Sequence, residues 1–245
     1  MAVSATTAVQ IAVGSFDATG NANQLDYGVT SAPFDITTFR NVPFKAYANG
    51  LKTLNVGFSG FNDYAAAAWD EYVRSAFNTQ QVLTLAYNGA TVGTGAVVSQ
   101  GILTDAQNFK ASVGQAPGVD MKVSGVGLAL GDGQVTQASS ANITATGNTT
   151  AVQVGALTST QTVVAAVHVL GYSGTGTVTF QLQSSSTSGG AYTARGTAGT
   201  ALSAIGAQWI SATGLTVTDT WWRLAVTASA SPVATVLASI AIVTP

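Results

Sequence analysis

Residues 50–63 read GLKTLNVGFSGFND. Leu54, Val56 and Phe58 fall on one face of an extended chain and Thr53, Asn55 and Gly57 on the other, the alternation of a half-buried strand. The next residues, YAAAAWDEYVRSAF at 64–77, change period. Ala65, Trp69, Tyr72, Val73 and Phe77 recur at three- and four-residue spacing and give a helix one apolar stripe. Asn62 or Asp63 can cap its start, and Asn78 suits its end. Asp70 and Arg74 stand at i,i+4 on the polar side. One helix is therefore expected over about 63–77, covering a sheet face or a barrel mouth.

Almost everything else reads as strand. In the first part the runs are VQIAVG (9–14), QLDYGVT (24–30), LKTLNVGFSG (51–60), QVLTLAY (81–87), TGAVVSQGIL (94–103) and VDMKVSGVGLAL (119–130). In the second they are TVVAAVHVLG (162–171), GTVTFQLQS (176–184), WISATG (209–214), WWRLAVTA (221–228) and ATVLASIAIV (234–243). Short strands at this spacing, separated by turns such as STSGGA and SASP, indicate a small sandwich. Charge divides the chain between these two sets. Residues 1–132 hold six Lys/Arg and nine Asp/Glu, whereas 133–245 hold only Arg195, Asp219 and Arg223. The change falls at GDGQVTQASSANITATGNTT (131–150), whose Gly, Ser, Thr and Asn content predicts a linker at 133–150. The expected division is thus one domain over 1–132 and a second over 151–245.

The composition narrows function by exclusion. Charged residues make up 7% of the 245, against about 25% in an average domain. Such a surface resists self-association poorly and suits either burial by neighbours or display on a particle. The net charge of −2 carries no basic footprint for nucleic-acid phosphates. Cysteine is absent, which removes disulfides, thiolate nucleophiles and Cys-ligated zinc. The first residues, MAVSATTAVQIAVGSFD, make a poor signal peptide, and no apolar run reaches the roughly 18 residues of a membrane helix.

No motif assembles a reaction centre. His168 lies between Val167 and Val169 with no acid beside it, and reads as a hydrogen-bonded structural histidine. GYSGTG (171–176) has Thr where a nucleophile elbow needs its second glycine, and GVGLALGDG (125–133) lacks dinucleotide-loop spacing. Both read as glycine bends in strands. Asp70 and Glu71 are adjacent on a helix and cannot face each other as a glycosidase pair; they read as a solvated face. Asn142 and Asn148 match a glycosylation pattern that is expected by chance in so Ser/Thr-rich a stretch. Trp209 and Trp222 remain candidates for a sugar platform, with one of Trp221 and Trp222 expected in the core. The connection SAPFDITTFRNVPFKAYANG (31–50) is long and carries Phe34, Phe39, Phe44 and Tyr47. These aromatics pack beneath their own loop or onto another subunit, since so many do not belong together in water.

DITTFRNVPFKAYANGLKTLNVGFSGFND (35–63) resembles the signature region of phage major tail proteins, the tail tube subunits of long non-contractile tails. The shared order is Thr37-Thr38-Phe39, a loop, Gly50-Leu51, then Ser59-Gly60-Phe61 with Asp63 and a single helix. VGQAPGVDMKVSGVG (113–127) resembles that family's Gly/Pro bend feeding a last long strand. The likeness spans roughly residues 5–130. The second part resembles the Ig-like β-sandwich modules appended to such proteins, through FQLQSSSTSGGAYTA (180–194) and WWRLAVTASA (221–230); similar modules occur on capsid decoration proteins.

The resemblance implies a mainly β fold, a tail-tube-type barrel or sandwich with one helix followed by a second small sandwich. It implies a structural virion protein rather than an enzyme, without cofactor or metal. Copies would form stacked hexameric rings, a tail tube through which DNA passes without specific binding. Further partners would be the tape measure, terminator and baseplate proteins, with assembly in the host cytoplasm and no membrane. Phe34, Phe39, Arg40, Phe44 and Tyr47 become candidates for contacts between subunits or rings, and Asp26, Asn55 and Asp120 for the lumen. The alternatives are a capsid decoration protein and a carbohydrate-binding surface adhesin using Trp209 or Trp222.

Overall fold

The computed structural model describes residues 9–31, 33–36, 45, 47–48, 52–61, 69–110, 118–125 and 131–244. These are mainly strand, with one α-helix among them. The first part contains β1 (Val9–Val13), β2 (Phe16–Asp17), β3 (Ala22–Ser31), β4 (Phe34–Asp35), β5 (Tyr47–Ala48), β6 (Lys52–Phe61), α1 (Trp69–Ala76), β7 (Gln80–Tyr87), β8 (Gly95–Lys110) and β9 (Gly118–Gly125). Apart from β4 and β5, its strands lie in the order β2-β1-β7-β8-β9-β6-β3, each antiparallel to its neighbours.

One face of this sheet is apolar. Ile11, Val13, Leu83, Leu85, Val56, Phe58, Met121 and Val123 project from it, and Trp69, Val73 and Ala76 of α1 fill it. Phe16 caps the filling, its ring centroid 5.1 Å from Trp69 and 5.2 Å from Tyr72. The helix thus supplies apolar volume that so small a sheet lacks. Asn78 ends it in the left-handed conformation, at φ 59°. The capping candidates Asn62 and Asp63, and Ala65, lie outside the described residues. Asp70 pairs with Arg74 at 2.9 Å as its spacing predicts. It is nevertheless buried, so only Glu71 of the two fits a solvated face.

The second part holds β10 (Gly131–Gln137), β11 (Asn142–Ile143), β12 (Gly147–Asn148), β13 (Val152–Gln153), β14 (Thr162–Ser185), β15 (Thr193–Ala194), β16 (Gly206–Thr213) and β17 (Trp221–Val243). Four predicted strands merge here into two. β14 and β17 pair from Thr162↔Val243 to Ser185↔Trp221. The ribbon bends without breaking because its register shifts between Val169 and Gly171, and because Gly174 and Gly176 take φ values of +85° and +98° that side chains resist. Both arms of the bent ribbon line one core: Ala165, Val167 and Val169 with Val178, Phe180 and Leu182, and Val236, Ala238 and Ile240 with Trp222, Leu224 and Val226.

The stretch 133–150 is not a free connector. β10 pairs along one edge with β8, from Gly131↔Val98 to Gln134↔Gly95, and along the other with β17, from Gly133↔Ala241 to Gln137↔Ala238. β11 and β12 then pair with β17 as well. Small side chains made this segment look like a linker; in the fold they permit close backbone approach. A Cβ on Gly133 would lie 2.1 Å from the Ile240 carbonyl oxygen. Beside it the register slips between Val135 and Gln137. Glycines and a bulge are what allow a sheet to turn a corner and fold over itself.

Beyond that corner the halves pack face to face. Val82 and Val98 meet Val164, Ala166, Ala241 and Val243, while Ala12, Ala86 and Ala96 meet Val135 and Leu237. Residues 162–169 are consequently buried on both sides, one toward their own core and the other toward this seam. That double burial explains their near-continuous apolar run.

Two outcomes follow. Gly133→Val should cost about 1–3 kcal/mol by overpacking, read as a lower urea midpoint with an unchanged slope. A chain ending at Asp132 loses most of β10 and leaves Val82, Val98 and Ala86 uncovered, so its thermal transition by circular dichroism should fall below that of the full chain.

Candidate functional site

Among the described residues no three His, Cys, Asp or Glu side chains converge as a metal site. The charged groups of 133–244 are occupied in holding the fold. Arg195 pairs with Asp219 at 3.0 Å, and the buried Ser184 hydroxyl donates to Asp219 at 2.7 Å while accepting from Arg195 Nε at 2.8 Å. Arg223 lies 3.8 Å over the Tyr192 ring and donates to Gln183 at 3.0 Å. His168 is buried with both ring nitrogens hydrogen-bonded. GYSGTG lies in the bend of β14; of GVGLALGDG, Gly125 ends β9, residues 131–133 open β10, and the rest lies outside the described residues.

Side-chain parity takes Trp222 out of the tryptophan platform. Trp222 is fully buried beside Leu224 and Val226, and its indole N–H donates to the Gly155 carbonyl at 2.8 Å. Trp209 is half-buried in the seam between the halves. Trp221, half-buried, takes the opposite parity to Trp222.

The three lumen candidates do share a surface. Directly paired residues of antiparallel strands project to the same side. The pairs Asp26↔Gly57, Gly28↔Asn55 and Thr30↔Thr53 join β3 to β6, and Ser59↔Asp120, Gly57↔Lys122 and Asn55↔Ser124 join β6 to β9. This face of β3-β6-β9 is therefore polar from Thr53 to Ser59 along β6, with Phe61 at its end, and its polar side chains bond to one another. Gln24 donates to Asp26 at 2.9 Å, Ser59 to Asp120 at 2.8 Å, and Thr104 meets Ser124 at 3.2 Å. Among its described side chains the charges are Asp26, Asp120 and Lys122. This face continues the one that the second half covers over β1, β7 and β8.

The same strands end in an unfinished edge. Within the described residues β3 pairs only with β6. Tyr27 and Val29 project to the apolar side, yet are 49% and 47% exposed. The Tyr27 hydroxyl reaches Tyr87 at 3.0 Å. Past Ser31↔Lys52 the hairpin continues, one residue out of register, as a separate ribbon with Phe34↔Ala48 and Asp35↔Tyr47. Ile36 and Tyr47 on this ribbon are 51% and 56% exposed. Of the contact candidates, Phe34 lies in β4 and Tyr47 in β5, while Phe39, Arg40 and Phe44 fall outside the described residues. Sequence reasoning passed over Tyr27, Val29 and Ile36. The alternation in QLDYGVT marks a strand with an apolar face but does not tell an edge from an interior position; the long connection that follows was the available cue.

No protein-family model matches the chain, and no curated protein matches it. Several solved structures resemble it in part. A chain of the virion of a native gene transfer agent particle is 13% identical, with a TM-score of 0.42, covering 53% of this chain and 98% of its own. The SPP1 tail tube subunit is 14% identical, with a TM-score of 0.38, covering 50% and 75%. The SPP1 Dit protein, described as a hub of the adsorption apparatus in phages infecting Gram-positive bacteria, is 10% identical, with a TM-score of 0.34, covering 96% and 98%.

Proposed function

We propose that this chain is a structural virion protein that joins copies of itself into stacked hexameric rings, forming a tail tube through which phage DNA passes. The observation that carries the reading is the edge of β3, unpaired among the described residues, running into an arm that exposes Ile36 and Tyr47. An isolated two-stranded ribbon is marginal in water, and an unpaired edge with apolar side chains invites another chain. Pairing through main-chain hydrogen bonds needs no catalytic side chain. A head-to-tail contact of this kind closes into a ring when its rotation divides a full turn.

In this reading the polar face bearing Asp26, Asn55 and Asp120 lines the bore. A sheet whose polar groups already bond to one another offers phosphate little to hold. The arm, with Phe34, Phe39, Arg40, Phe44 and Tyr47, reaches an adjacent subunit or ring. The Ig-like second half stands on the outside, and the tape measure, terminator and baseplate proteins meet the tube at its ends. Assembly takes place in the host cytoplasm and the product resides in the virion.

Negative-stain microscopy of the purified protein tests this directly: rings or tubes of sixfold symmetry are expected, and a stable monomer or trimer would favour a decoration protein instead. Ile36→Ala with Tyr47→Ala should reduce tube yield more than tenfold, since each lost apolar contact is worth about 1.5–3 kcal/mol. The monomer's melting curve should not change. Tubes at normal yield would show that the arm is not the joint.

A further inference from the structure

His168 is the single histidine of the chain and is 0% exposed. Its Nδ1–H donates to the Gly14 carbonyl at 2.7 Å, and its Nε2 accepts from the Thr84 hydroxyl at 2.8 Å. Both partners belong to the N-terminal half, so the ring crosses the seam. The neutral imidazole alone offers one donor and one acceptor in this arrangement. A second proton would confront the Thr84 hydroxyl and leave a cation where no carboxylate bonds the ring.

The surroundings offer such a cation little. Across the ladder stand Ala207 of β16 and Leu237 of β17. On β7 the facing group is the Thr84 hydroxyl, and on the turn after β1 it is the Gly14 carbonyl. Asp17 of β2 is the charged group whose field reaches the ring, and it is already held by Gln10 and Thr19. On the seam side of β17, Ser239 Oγ is buried with no hydrogen-bond partner, so parting the faces would hydrate it. The other join, through β10, is made at strand edges and does not depend on this packing.

We propose that His168 is an acid-sensitive latch whose protonation parts the packed faces of the two halves, the C-terminal half swinging about β10 while each half keeps its own core. Burial holds the ring at a pKa of about 4, below its ordinary 6.5. An opened seam restores the ordinary value. The closed form binds its proton later than the open one, so it is fully favoured above pH 6.5, loses ground as pH falls toward 4, and loses no more below that. Across that window the closed-to-open ratio falls about 300-fold.

Trp209 lines the seam, while Trp222 and Trp69 lie in the separate cores. The full chain labelled with 5-fluorotryptophan gives each a ¹⁹F signal, with Trp209→Phe assigning the seam resonance. On acidification from pH 7 to 3.5, the Trp209 resonance should move to a solvent-exposed position. Trp222, Trp69 and the far-ultraviolet circular dichroism should keep their native values. In His168→Gln, which can donate to Gly14 and accept from Thr84 without titrating, the Trp209 resonance should stay in place. Simultaneous loss of all native signals, a Trp209 signal unmoved at pH 3.5, or identical behaviour of the Gln variant would overturn the proposal. Should that variant not fold, the imidazole Cε1–H titration of the unmodified protein decides: a midpoint matching the Trp209 transition supports the latch, and a mismatch overturns it.

Discussion

β10 is the strand on which the rest of the structure depends. It completes the edge of β8 and supplies an edge to β17, so it is hydrogen-bonded into both halves at once. Every other tie between the halves is a consequence of the fold-over it permits, from the alanine- and valine-lined seam to the His168 hydrogen bonds. The constraint is steric before it is energetic. Where Gly133 crosses Ile240 there is no room for a methyl group, and only glycine lets the two backbones approach while the sheet turns.

Much of this was legible in the sequence, and the failures are physically informative. Period-two runs located β1, β3, β6 and β7 closely; in β6 the alternation matches burial, with Val56 and Phe58 buried and Asn55, Gly57 and Ser59 partly exposed, whereas β1 and β7 are covered on both faces. The helix was visible because its period departs from its surroundings. The role of 131–150 was not, because glycine-rich sequence serves equally for a flexible connector and for a crowded corner. Nor was the joining of four strands into β14 and β17, since turn-forming residues at 171–176 and 229–232 bend a ribbon here instead of ending it. Which of Trp221 and Trp222 enters the core was not legible for want of a reference face; only the register with Leu224 and Val226 gives the direction. The polar surface fared better: Asp26, Asn55 and Asp120 are distant in sequence, yet antiparallel register sets them on one side of three neighbouring strands.

The distribution of charge reflects a division of labour. In the second half the few ionised groups are committed to internal ties: Arg195 to Asp219 and Ser184, Arg223 to Tyr192 and Gln183. Its surface is therefore built of small hydroxylated, amide and apolar groups. In the first half, Asp26, Asp120 and Lys122 stand where the sheet is left uncovered. Steering and repulsion of ionic partners must therefore originate in the N-terminal half, while the C-terminal half presents a surface on which ionic strength has little purchase.

The long pairing of β14 with β17 also sets an order in time. Residues 236–243 leave the ribosome after the strands they complete: they flank β10 and cover the seam side of β7 and β8. The N-terminal sheet waits, with that face bare, until residues 236–243 have been synthesised. Contacts so remote along the chain close slowly. A subunit built this way cannot acquire this part of its outer contour until translation has passed residue 243, so any gathering of copies that reads the contour is deferred to that point.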